Sequence, residues 1–140
     1  MRLLKLVSIP LLVASSACGG KSGGAAPGGP APAAVTHPNV IGTYDLEMTS
    51  ARSTQALKQT LQILAAEKPD TYAAIVSTDR GSLQYPNGRW QGQDLILSGT
   101  DERGTNQKLK LRFDGDKFTG VYSIEGSGVR GNRMVAGRKR

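Results

Sequence analysis

The sequence predicts a mainly β domain: a small antiparallel up-and-down β-barrel or sandwich of six to seven strands, with one amphipathic helix between strands one and two. Three observations over residues 38–140 favour this class. Short segments alternate apolar with polar residues, pairs typical of tight turns separate these segments, and a single stretch follows a helical period instead. Several short strands joined by tight turns are typical of small barrels and sandwiches.

The domain is expected to begin with a half-buried strand, which the helix follows. Over residues 41–48 apolar and polar residues alternate, and Tyr44 lies on the apolar face. Over residues 54–67 the period becomes helical, because leucines fall on one stripe. The stripe consists of Leu57, Leu61 and Leu64. Lys68-Pro69 is expected to end this helix, since proline cannot continue the backbone hydrogen bonding.

A second strand is expected at residues 71–78, which are rich in β-branched and aromatic residues. Asn87-Gly88 then favours a two-residue type I′ hairpin, with Trp90 on the apolar face of the strand that follows. Strict alternation after Trp90 would turn the next leucines to the opposite face. We therefore predict a β-bulge near Gly92-Gln93 that restores the phase.

Two further strands show the clearest alternation in the chain. Residues 108–113 place Leu109, Leu111 and Phe113 on one face and three cations on the other. A loop with an even number of residues, taken from 114–117, is needed to put Leu111 and Phe118 on the same side, and Asp-Gly favours the two-residue version. A last strand is expected from Val129 to about Gly137.

The start of the domain resembles that of calycins, the group that contains lipocalins and fatty-acid-binding proteins. The resemblance lies in Gly42-Thr43-Tyr44-Asp45-Leu46, followed by a helix and Lys68-Pro69-Asp70, where the family has Gly-x-Trp in strand one. It implies a barrel in which a basic side chain of the last strand, here Arg133 or Arg138, lies over the first-strand aromatic Tyr44. The Arg-x-Tyr motif with which the family binds carboxylates has no counterpart here, so the resemblance assigns no ligand residues.

The N-terminus has the features of a secretory signal. A basic start is followed by a short apolar run over residues 6–13 and then by small residues. Ser15-Ser16-Ala17-Cys18 resembles the lipobox of bacterial lipoproteins, which implies cleavage before Cys18 and lipidation of its sulfur. In the alternative, an ordinary signal peptide is removed and Cys18 is a free thiol. Because Gly19 and not Asp follows the cysteine, the resemblance implies the outer membrane where the cell has one.

These features predict three segments. Residues 1–17 are the signal peptide, residues 18–37 are a lipidated cysteine with a disordered tether, and residues 38–140 form a single calycin-like β domain. The tether is rich in Gly, Ala and Pro and has no aromatic residue before His37, so it cannot bury enough apolar surface to fold. His37 precedes a proline and is interpreted as a linker residue.

The composition excludes several kinds of chemistry. With one Cys and one His in the chain, an internal disulfide, a cysteine-based metal cluster and a Ser-His-Asp triad are not available. We therefore expect no catalytic residue, no metal ligand and no cofactor. An enzyme remains an alternative, and it would depend on the carboxylate pairs Asp101-Glu102 or Asp114 with Asp116, both in predicted turns.

The positive charge is concentrated at the C-terminus. The formal net charge is +7, and the last strand and tail carry five cations with no carboxylate. These are Arg130, Arg133, Arg138, Lys139 and Arg140. They form either a solvated face or a surface for an anionic partner. Nucleic acid is not expected, because the basic residues lack an aromatic stacking platform.

The sequence as a whole therefore predicts a lipid-anchored protein of the bacterial cell envelope. The anchor on Cys18 would join it to the membrane, and its non-catalytic β-barrel domain would bind an envelope protein or a small apolar ligand. The alternative is a structural or assembly protein that docks to an anionic surface through the basic C-terminal strand and tail.

Overall fold

Eight antiparallel strands follow one another along the chain and close into a barrel. The structure, a computed structural model, describes residues 35–140 except Ser127 and the side chain of Val129. Each strand pairs with its neighbours in sequence, and the first pairs with the last. The strands are β1 (Gly42–Ser50), β2 (Ser53–Ala65), β3 (Thr71–Thr78), β4 (Gly81–Gln91), β5 (Asp94–Thr100), β6 (Asn106–Asp114), β7 (Lys117–Gly126) and β8 (Val129–Lys139). The signal peptide, the lipobox and Cys18 lie outside the described residues.

The predicted mainly β, antiparallel class is confirmed, and the barrel is the closed form. The expected six to seven strands are corrected to eight, and the difference comes from the segment expected to be a helix. Residues 35–140, as far as they are described, contain no helix, and so none that is long and apolar enough to span a bilayer.

Strand β2 replaces the predicted amphipathic helix because its leucine spacing fits both periods. Leu57 and Leu61 are four residues apart, which places them on one face of a strand as well as of a helix. Pairing with β1 and β3 selects the strand, and it buries Leu61 and Ile63 completely. Leu64, the third residue of the supposed stripe, points outward and is 38% exposed. Packing against neighbouring strands has therefore overridden the local helical pattern.

The predicted hairpin and the predicted bulge occur with their positions exchanged. β4 continues through Asn87-Gly88, and its register against β3 shifts between Tyr72 and Ala74, which makes the irregularity a β-bulge there. The tight turn falls instead at Gly92-Gln93, where Gly92 has a φ of +62°. Gly88 is needed for packing and not for a turn, because a Cβ there would lie 2.6 Å from Leu97 Cδ2 and 2.7 Å from the Tyr72 carbonyl oxygen.

The remaining strand predictions are confirmed. The segment 71–78 is a strand with those bounds, and residues 108–113 lie within β6 with Leu109 and Leu111 fully buried. Asp114 pairs with Lys117 across a two-residue loop, so Leu111 and Phe118 both face the interior. The last strand runs somewhat beyond its predicted end, to Lys139.

The two ends of the barrel differ. One end, which we call the closed end, contains the β2–β3, β4–β5 and β6–β7 connections and is filled by aromatic rings. The centroids of Tyr44, Phe113 and Phe118 lie 5.5–5.7 Å apart. The N-terminal segment, residues 35–41, packs against these rings through Val40, which is 1% exposed and accepts a hydrogen bond from the Tyr44 hydroxyl at 2.8 Å. The end with the other four connections is the mouth.

Candidate ligand-binding site at the barrel mouth

A cavity of about 640 Å³ opens at the mouth. This volume is within the range of pockets that hold small molecules. Eight-stranded barrels are just wide enough either to be filled by side chains or to hold one small ligand. In this barrel the aromatic cluster fills the closed end, and the cavity lies at the mouth above core residues such as Val76 and Leu109, which are 1% and 0% exposed. Its apolar wall is formed by Met48, Val76, Leu83, Tyr85, Leu109 and Ile124.

A cation lies at the rim of this cavity, whose lining combines the apolar wall with polar residues such as Gln59 and Asn132. Arg133 projects inward from β8, opposite Tyr122 of β7, and its Nη1 lies 3.8 Å from Met48 Sδ. The guanidinium thus lies beside an apolar side chain while it remains open to solvent. An arrangement with a cation above an apolar wall suits an amphiphile that has an anionic head and an apolar body.

The cavity wall is held in place by a hydrogen-bonded chain that begins at Tyr85. The Tyr85 hydroxyl donates to Gln107 Oε1 at 3.1 Å, and Gln107 Nε2 donates to Asp101 Oδ2 at 3.4 Å. The other carboxylate oxygen of Asp101 accepts from the backbone N–H groups of Arg103 and Thr105 at 2.9 and 2.8 Å. These bonds, with that from Thr105 the strongest, hold the pKa of Asp101 below its usual value.

The two tyrosines of the cavity keep their protons. Burial raises the pKa of Tyr85 well above its usual value of 10, and coulombic repulsion between its ionised form and that of Tyr122 raises it further. Burial also raises the pKa of Tyr122, although the nearby Arg133 opposes the shift. Both hydroxyls therefore act as neutral hydrogen-bonding groups, and neither is activated as a base or a nucleophile.

The carboxylate pairs named above as possible catalytic groups lie in or beside turns. Asp101 organises the β5–β6 connection near the mouth, where its backbone also bonds Thr105 and Gly104. Asp114 and Asp116 flank the β6–β7 turn at the closed end, where the Asp116 carbonyl oxygen accepts from the backbone of Lys139 at 2.7 Å. The two pairs thus lie at opposite ends of the barrel.

The five C-terminal cations are spread along β8 and the residue after it, from the mouth to the closed end. Arg130 pairs with Glu125 at 3.2 Å, and Arg140 pairs with Asp45 at 2.7 Å. Arg133 lies at the mouth, and Arg138 lies on the outer face between Lys117 and Asp45. The fold therefore does not gather these side chains into one surface. Docking of an anionic partner through them stays a prediction.

The cation over Tyr44 is Lys139. Its Nζ lies 6.0 Å from the centre of the ring, because Lys139 is the residue of β8 that pairs with Tyr44. Arg138 precedes it and so points to the opposite face, while Arg133 lies toward the mouth. The resemblance to calycins named Arg133 or Arg138 for this position, and neither of them lies over Tyr44.

Gln59 is a site residue that the sequence analysis missed. It was placed on the polar side of the supposed helix, whereas β2 directs it into the cavity beside Leu61 and Ile63. The alternation of Gln59, Leu61 and Ile63 is the signal that could have located it. Arg133 was expected over Tyr44 or as part of a basic surface, and not in a cavity.

No protein-family model matches this sequence, and no curated protein matches it either.

Proposed function

We propose that this chain is a lipid-anchored lipoprotein of the bacterial cell envelope whose barrel binds a small apolar ligand with an anionic head. The observation that carries the ligand-binding part is the cavity at the mouth, with its apolar wall and with Arg133 at the rim. The lipobox-like Ser15-Ser16-Ala17-Cys18 supports the anchored part. Several acyl chains on one residue would give lasting attachment, since each buried methylene contributes about 0.8 kcal/mol.

The ligand would bind with its apolar body inside the cavity and its anionic head at the mouth. Its apolar body would lie against Leu83, Leu109 and Ile124, and its anionic group would lie at the rim beside Arg133. Since the guanidinium is open to solvent, its contribution is that of a charge-assisted hydrogen bond in a partly aqueous setting, about 1.5 kcal/mol. That free energy corresponds to about a tenfold change in affinity.

Ligand binding is tested with dodecanoate and the full chain carrying Cys18→Ala, which removes the proposed anchor and permits work without detergent. We expect saturable binding by isothermal titration calorimetry, and Arg133→Gln should weaken it about tenfold. Arg138→Gln removes a cation of the same strand from the outer face and should leave the affinity unchanged. Failure of dodecanoate to bind, or equal losses in the two variants, would count against this function.

Anchoring is tested by metabolic labelling with a radioactive fatty acid. We expect the wild-type chain to incorporate label and to fractionate with membranes, and Cys18→Ala to lose the label. Ser15→Ala is a control, because it alters the same segment and keeps the sulfur. Equal labelling of wild type and Cys18→Ala, or no labelling of either, would refute lipidation at Cys18.

A further inference from the structure

Gln59 presents an unused hydrogen-bond acceptor. Its side-chain oxygen Oε1 is buried and has no hydrogen-bond partner among the described residues. Buried polar atoms are nearly always paired, because an unpaired one loses its hydrogen bonds to water without replacement. An unpaired acceptor of this kind therefore needs an explanation, and a missing donor is the simplest one.

The position of Gln59 indicates where that donor comes from. Gln59 pairs with Leu46 across β1 and β2, which directs its side chain to the interior, and it lines the same cavity as Arg133. The Tyr85 hydroxyl, a donor on β4 that lines the same cavity, already donates to Gln107. Pairing of Gln59 with that hydroxyl would break the chain that fixes the β5–β6 loop.

We propose that Gln59 recognises an N–H or O–H donor on the ligand, close to its anionic head. The inference rests on the proposed function and narrows it: the preferred ligands are amphiphiles such as hydroxy acids or N-acyl amino acids, in preference to plain fatty acids. Arg133 meets the negative charge. Gln59 accepts from the neighbouring donor once its amide turns toward the cavity, because Oε1 is buried in the empty barrel. A site built around a hydrogen bond discriminates strongly against a ligand that lacks the bonding group, because the protein atom is then left unpaired.

The experiment compares matched ligands on the full chain carrying Cys18→Ala. The ligands are dodecanoate, its 2-hydroxy and 3-hydroxy derivatives, and the methyl ethers of both, which keep the oxygen but cannot donate. We expect one hydroxy acid to bind about tenfold more tightly than dodecanoate and than its own ether. Gln59→Leu should abolish that preference while dodecanoate binding persists. Gln62→Leu, an outward-facing glutamine of the same strand, should preserve it.

The two proposals fail differently in this experiment. Binding of dodecanoate without preference for either hydroxy acid, or a preference that survives Gln59→Leu, overturns the role of Gln59 and leaves the proposed function intact. Failure of every ligand to bind overturns both.

Thermal unfolding gives a second measurement: the empty Gln59→Leu variant should unfold at a higher temperature than its parent, because an unpaired buried acceptor has been removed. A lower unfolding temperature would contradict the inference.

Discussion

Asp94 shows how a single outward-facing residue contributes to the barrel. It is only 8% exposed, because Arg112 and Lys110 of the neighbouring strand cover it. Arg112 holds both carboxylate oxygens, with Nε to Oδ1 at 2.8 Å and Nη2 to Oδ2 at 3.2 Å, and Lys110 Nζ lies 3.2 Å from Oδ2. Chiefly through the hydrogen bonds from Arg112, the pKa of Asp94 lies below its usual value.

This lowered pKa predicts a pH-dependent stability. Asp94→Asn should lower the free energy of unfolding by about 1 kcal/mol at neutral pH, after allowance for solvent screening of the two cations. A carboxyl whose folded pKa is depressed stabilises the protein above its unfolded pKa, and this contribution is lost as the pH falls through the folded pKa. The difference between wild type and Asp94→Asn should therefore shrink below about pH 4. Urea unfolding at several pH values measures it.

The control for Asp94 is an ion pair exposed to solvent. Glu125 pairs with Arg130 at 3.2 Å, but their side chains are 68% and 84% exposed. Glu125→Gln should change stability by only a few tenths of a kcal/mol, about 0.5 at most, at any pH. Equal effects of the two substitutions would show that burial of Asp94 under its cations adds nothing.

At the residue scale, the sequence was informative about which apolar side chains are buried and uninformative about polar ones. Leu109 and Leu111 could be assigned to the interior because their strand alternates cleanly. Arg133 could not be assigned to the cavity, since a polar residue at an interior position breaks the alternation that identifies a strand face, and Gln59 could be assigned only after residues 53–65 were recognised as a strand. Their role depends on which strands pair with each other, and that is a property of the whole barrel.

At the scale of elements, the N-terminal segment is more than an entry to the barrel. His37 was expected to be a linker residue, yet its ring lies parallel to Trp90, with the centroids 4.3 Å apart and the planes inclined by 2°. The Trp90 indole N–H also reaches the Tyr72 hydroxyl at 3.3 Å. Residues 37–40 thus cover the closed end of the barrel through one stacked ring and one buried aliphatic side chain.

The stacking of His37 predicts an effect on Trp90, which is the only tryptophan in the chain. His37→Ala should lower stability by about 0.5–1.5 kcal/mol, the range for an aromatic pair. It should also expose the indole, so that fluorescence emission shifts to the red and acrylamide quenches it more efficiently. Thr36→Ala, a change at the exposed neighbouring residue, should alter neither property. An unchanged spectrum in His37→Ala would show that residues 37–40 do not cover the closed end of the barrel in solution.

The elements that the sequence misplaced share a cause. In β2, a leucine spacing of four residues satisfies both a helix and a strand, and only pairing with β1 and β3 decides between them. In β4, Asn87-Gly88 has the composition of a hairpin, yet Gly88 is required where Leu97 and Tyr72 approach its Cα. Local sequence therefore located both irregularities, and long-range packing determined which one became the turn.

At the scale of the whole molecule, the aromatic cluster and the cavity proposed to bind a ligand lie at opposite ends of the barrel. The closed end holds the fully packed cluster of Tyr44, Phe113 and Phe118, with Val40 of the N-terminal segment against it. The mouth leaves Leu83 and Ile124 only partly buried around the cavity. Up-and-down topology makes this division possible, since the connections alternate between the two ends and each set can diverge without altering the other.

This division predicts different consequences for truncation at the two ends. Phe118→Ala, at a side chain 2% exposed, should lower the free energy of unfolding by about 3–5 kcal/mol, because the packed cluster cannot close the resulting void. Leu83→Ala, at the mouth, should cost only about 1 kcal/mol, since it removes partly exposed surface and enlarges a cavity that already exists. Urea unfolding measures both losses.

Dodecanoate titration of the same two variants completes the test. Leu83→Ala should weaken binding about three- to tenfold, because it removes apolar contact with the ligand, whereas Phe118→Ala should retain the parental affinity at a temperature where it remains folded. Phe118 is screened from the cavity by the side chains between the two ends, so its loss changes how much protein is folded and not what the folded protein binds. Parallel losses of stability and affinity in both variants would mean that the barrel interior behaves as one unit and that the mouth is not a separate site.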